Sequence, residues 1–116
     1  MEHALFSLEA AHYEWACFAA HQSAEKALKA VYQKLAGEAR GHSLWGLIFG
    51  LATKLAVPKA LESKAKELDK NYIPTRYPDA LQEGAPFELY TKNEAERAIK
   101  SAKSIIEFCK SILAGP

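Results

Sequence analysis

Ten residues, NYIPTRYPDA at positions 71–80, concentrate the groups best suited to anion chemistry. Pro74 and Pro78 each fix their own φ and push the preceding Ile73 and Tyr77 towards extended backbone. On that reading Arg76 is held at low entropic cost between Tyr72 and Tyr77, with Asp79 as the nearest counter-ion. A guanidinium in such a setting forks onto phosphate or carboxylate and stacks on aromatic rings. The same residues also read as a structural clamp, with Arg76 paired to Asp79 or to a helix carboxylate to pin the loop onto the bundle.

The other candidates are fewer. His42 precedes a helix start, where backbone N–H groups favour anions. It reads either as a residue that ties down the loop or as an imidazole on a binding rim. Lys26 and Lys29 share a helical face with Gln22, as a solvated surface or a basic wall, and Glu25–Lys29 is an i,i+4 ion pair. His3, His12 and His21 recur every nine residues, which turns a helix by about half a circle, so His12 faces away from the other two. No two histidines stand at His-x-x-x-His spacing, and the chain has neither a serine-triad signature nor a phosphate-binding glycine loop. No metal and no cofactor is expected.

These residues need a frame, and the pattern supplies helices. Positions 5–35 contain neither proline nor glycine and read as one long helix of about 45 Å. It carries two apolar stripes, Leu5/Leu8/Trp15/Phe18/Ala19 and Tyr13/Cys17/Ala20/Ala24/Ala27/Val31/Leu35. Ser43 caps a second helix with a Leu44/Leu47/Ile48/Leu51/Leu55 face, and Gly46 and Gly50 open one side of it to a close backbone approach. Pro58 suits the first turn of a third, with Leu61, Ala65 and Leu68 inward. The Pro-rich stretch from Asn71 to Leu89 reads as a loop of nearly twenty residues. Thr91-Lys92-Asn93-Glu94 is a capping box for the last helix, whose apolar residues run from Ala95 to Leu113. The expected fold is an all-α antiparallel up-and-down bundle of four main helices. One long Pro-rich loop precedes the last of them, and the whole forms one domain over residues 1–116.

Composition narrows the function. At 116 residues and 49% hydrophobic content the chain is long enough for a packed core. A net charge of +1 excludes a protein that grips nucleic acid by overall charge, so any such contact is local or assembled between subunits. Cys17 and Cys109 fall within apolar helical patterns and read as buried thiols. With no signal peptide and no stretch of about 18 apolar residues, the chain reads as cytoplasmic with no membrane partner.

Four segments in order, YEWACFAAHQSAEKALKA (13–30), GHSLWGL (41–47), YIPTRYPDA (72–80) and the alanine-rich last helix, resemble the HEPN domain family of prokaryotes. The resemblance implies a helical bundle that forms a homodimer and binds nucleotide or RNA. It also implies a minimal nucleotidyltransferase as partner, as in toxin–antitoxin pairs. Arg76, Tyr77, Asp79 and His42 would line the cleft, assisted by Lys26, Lys29 and Tyr72. Active ribonucleases of the family carry Arg, four to six residues, then His. Here no histidine follows Arg76 or Arg97, and His42 stands only two positions after Arg40. A binding module is therefore the reading the sequence supports best. A metal-independent ribonuclease using Arg76 and His42, and a purely structural docking module, are the alternatives.

Overall fold

The computed structural model describes residues 1–9, 12–35, 37, 43–76 and 91–115, with side chains at all of these except 7–9, 14 and 71–76. Among them are five helices and no strand: α1 (Glu2–Glu9), α2 (Tyr13–Lys34), α3 (Leu44–Leu51), α4 (Lys59–Arg76) and α5 (Lys92–Ala114). The all-α bundle is as expected, but the long first helix is two. His12 stands at φ −95°, ψ 72°, outside the helical region, at the start of α2. Folding α1 back buries Ala4 completely and sets the Met1 ammonium 3.0 Å from Ser23 Oγ on α2. Local propensity sees no breaker at this point; packing of α1 against α2 and α5 supplies one.

The axis of the molecule is the α2–α5 interface, the most extensive in the fold. Ala16, Ala20, Ala24, Leu28 and Val31 meet Ala95, Ala98, Ala102, Ile105 and Cys109 there, all essentially without exposure. Alanines at this density bring two helix backbones close and leave few rotamers to order. Burial pushes the Cys109 thiol up to about 11, so it stays protonated and inert.

Helix directions follow from polar ties. Lys64 meets Ser104 and Glu67 meets Arg97, so α4 and α5 run antiparallel, and His21 ties α2 to α4 at Asp69. Lys34, at the end of α2, donates to the carbonyls of Ile112, Leu113 and Gly115 at 2.8–3.0 Å. The central pair α2 and α5 therefore runs in the same direction, and one lysine donates to three carbonyls at the end of α5.

Both predicted caps form. Ser43 Oγ accepts from Gly46 N–H at 3.1 Å, and Thr91 Oγ1 from Glu94 N–H at 3.1 Å. Helix α3 is shorter than its apolar pattern, ending at Leu51 rather than reaching Leu55. Of its two glycines only Gly50 meets a close approach, and what approaches is a side chain. A Cβ there would run into the Tyr32 hydroxyl, which donates to Leu47 O at 2.6 Å.

The larger correction concerns the Pro-rich stretch. Residues 71–76, expected as extended loop, are the last turns of α4. Pro74 lies inside that helix, where it has no N–H to offer the Lys70 carbonyl. Leu61, Ala65 and Leu68 bury on the preceding turns as predicted. Residues 77–90, which include Tyr77 and Asp79, lie outside the described residues.

Candidate functional site

The most constrained polar cluster stands where α2, α3 and α4 meet. Its centre is Asp69, which reaches across from α4 to the start of α3. Oδ1 accepts from His21 Nε2 at 3.0 Å and from Leu44 N–H at 2.9 Å. Oδ2 accepts from Ser43 Oγ and Trp45 N–H, both at 3.0 Å. With Ser43 receiving Gly46 N–H, the first three amides of α3 are all satisfied, and the carboxylate faces the positive end of the helix.

Burial alone would push the Asp69 carboxyl up. Hydrogen bonds from His21, the Trp45 and Leu44 amides and Ser43 outweigh it and hold the group below its ordinary range. An ionised Asp69 only accepts, so His21 Nε2 must carry the proton that it donates. On its other side His21 Nδ1 lies 3.8 Å from Glu25, which pairs with Lys29 at 3.0 Å.

A serine, a histidine and an aspartate thus stand together, yet they do not make a nucleophilic triad. Ser43 and His21 both donate to the same carboxylate, so neither serves the other as base. His21 is also completely buried and cannot meet a substrate. The cluster is a brace. Among the described residues no group of three or more His, Cys, Asp or Glu side chains could hold a metal ion.

The predicted site residues distribute around this brace. Tyr72 and Arg76 have helical backbone in the last turns of α4, and their side chains are not described. Arg76 follows Asp69 by seven residues, which returns it to the same helical register about 10 Å further along the axis. His42 lies outside the described residues but is bonded to Ser43, an Asp69 partner. Lys29 joins the brace through Glu25. Lys26 turns away from it: exposed, it borders a hollow of about 350 Å³ with Met1, His3 and Gln22 on the α1 side. The two lysines do not form one wall. Sequence reasoning missed His21, Glu25 and Asp69 as a connected group. A signal existed for His21, since it interrupts a stripe of buried alanines and a buried imidazole needs a partner.

A family model described as the HEPN domain matches residues 1–112, nearly the whole chain and every element of this brace. The chain belongs to the HEPN domain family. Solved structures agree with it in fold. TT1696 from Thermus thermophilus is 45% identical with a TM-score of 0.88, covering 96% of this chain and 87% of its own. A HEPN domain protein from Thermotoga maritima, TM0613, is 40% identical with a TM-score of 0.81, at 99% and 91% coverage. Among curated proteins, "Putative toxin MJ1304" of Methanocaldococcus jannaschii is 27% identical over 122 residues, covering 97% of this chain and 80% of that protein. Among the described residues no helix is long and apolar enough to cross a membrane.

Proposed function

We propose that this HEPN protein is a nucleotide- or RNA-binding accessory module whose ligand is held at the end of α4, with Arg76 as the phosphate anchor. One observation carries the reading: Asp69 ties the Arg76-bearing half of α4 to Ser43, the residue after His42. The tie supports the reading because it holds Ser43, the sequence neighbour of His42, to the helix that carries Arg76. Helix C-termini repel anions, so a phosphate at this end of α4 depends on the arginine's own charge. Tyr72, Tyr77 and Asp79 complete the site in this reading, and Lys29 contributes from the brace. The protein acts as a homodimer beside a minimal nucleotidyltransferase, in a toxin–antitoxin type of pair. The name of the Methanocaldococcus relative supports the toxin association. Phe6 at 68% and Trp15 at 52% exposure supply apolar surface for a second subunit.

Titration calorimetry against a nucleotide panel and short RNAs tests the binding. Arg76→Ala should weaken it by about 1–3 kcal/mol, the range for a charge-assisted contact. Absence of binding by the unmodified protein, or equal binding by the variant, sinks the reading. The same corner favours a second one, a metal-independent ribonuclease using Arg76 and His42. That requires RNA cleavage in chelator that both Arg76→Ala and His42→Ala abolish.

A further inference from the structure

A second cationic feature lies on the other side of α4 and owes nothing to Arg76. Arg76 is nine residues beyond Glu67, half a turn away in helical register, and Glu67, like Lys64, meets α5. Between α1 and the first half of α5 runs a groove of about 700 Å³, bordered by Leu5, Asn93, Arg97, Ile99, Lys100 and Lys103. A smaller hollow of about 270 Å³ between α4 and α5 shares Arg97 and Lys100 and adds Lys64, whose Nζ donates to Ser104 Oγ at 3.0 Å.

The charge here is unbalanced at short range. Lys100 and Lys103 have no ion pair among the described residues. Arg97 has one contact, Nε to Glu67 at 3.4 Å, and that pair is 65% and 37% exposed, so it is weak. Glu96 on the groove wall lies 3.9 Å from Lys92. Arg97, Lys100 and Lys103 follow one another at i,i+3, a spacing of roughly 5–6 Å between Cβ atoms on a helix. That forms a ladder of cations suited to consecutive phosphates. Leu5, 37% exposed, places apolar surface beside the ladder, where a base or ribose gains contact and a bare phosphate chain gains none. The volume falls within the range of small-molecule sites, roughly 300–1,000 Å³.

We propose that the α1–α5 groove is a second binding site, taking a phosphorylated nucleoside unit with its phosphates along Arg97, Lys100 and Lys103 and its base against Leu5. The unit comes either from a free nucleoside triphosphate or from a single strand of RNA.

The test uses ATP and a hexauridine RNA as separate probes, followed by backbone-amide NMR shifts and by affinity. Shifts at residues 93–103 are expected with at least one probe. Whichever probe acts identifies the source of the unit. Lys100→Glu with Lys103→Glu should weaken binding at the groove tenfold or more. Lys54→Glu with Lys110→Glu makes the same change in net charge away from the groove and should cost less than threefold. Lys100→Gln with Lys103→Gln should give an intermediate loss, and circular dichroism confirms that each variant folds. Arg76→Ala should leave the shifts at 93–103 in place, which separates this site from the one at the end of α4. Equal losses in the groove and control variants overturn the proposal. So does an absence of shifts at 93–103 with both probes, or their disappearance in Arg76→Ala.

Discussion

The Asp69 brace and the α5 cation ladder are both polar, but their charges are used in opposite ways. At the brace one carboxylate takes four donors at 2.9–3.0 Å from α2 and α3, and the imidazole among them is fully buried. On the ladder, Lys100 and Lys103 are exposed and without an ion pair among the described residues. Charge that is desolvated and fully hydrogen-bonded is committed to the fold, since removing one partner strands the others. Charge left solvated costs the fold little to change and remains available to a ligand. Proximity of Ser, His and Asp is therefore a poor guide to chemistry here.

The most severe break in this contrast is Asp69→Ala. It leaves a buried imidazole and three α3 donors without their acceptor and should cost about 3 kcal/mol, measured by urea denaturation. A loss below about 1 kcal/mol would mean that water replaces the carboxylate and the brace is not needed. Charge reversal at Lys100 and Lys103 should do the converse, weakening groove binding tenfold or more while the urea midpoint hardly moves. If that pair of substitutions unfolds the protein, the ladder belongs to the fold and the contrast collapses.

Acid separates the regions further. The Asp69 carboxyl is lowered from 3.8, so its contribution is complete above that value and is lost as pH falls through the lower folded-state pKa. Stability should decline below pH 3.8, and Asp69→Asn, already weaker at neutral pH, should decline less steeply over that window. Parallel curves for the two proteins would assign the acid sensitivity to other carboxylates.

Smaller effects refine the picture around the brace. Tyr32→Phe removes the hydroxyl that donates to Leu47 O and should cost about 1 kcal/mol by thermal melting. The same deletion clears the space beside Gly50, so Gly50→Ala should be better tolerated in the Tyr32→Phe background than alone. Additive losses would mean that the hydroxyl is not what Gly50 accommodates. Lys34→Ala, at an exposed helix end, should cost less than about 1 kcal/mol.

Much of the frame was legible residue by residue. Ser43 and Thr91 announced the starts of α3 and α5 because capping is settled within four residues. Ala95, Ala98, Ile99, Ala102, Ile105 and Cys109 announced one buried face because helical periodicity needs no partner to be visible. The site was less legible. Arg76 and Tyr72 stood out through their prolines, but the prolines pointed to a loop, whereas that backbone completes α4. Asp69 looked like any other residue of a charged helix, since nothing near it in sequence shows that position 21 and positions 43–45 will supply its donors.

What the sequence determined by itself is what neighbouring residues decide together: helical content, caps, inward faces, and membership of a family recognisable from four ordered segments. The tertiary structure decided the rest. It turned the chain at His12, ran α2 and α5 in the same direction, gathered His21, Ser43 and Asp69, and set Leu5 of α1 beside the cations of α5. Each of these depends on contacts between residues tens of positions apart. Burial and desolvation act on such contacts only after the chain has folded, whereas propensity and periodicity act along the chain from the start.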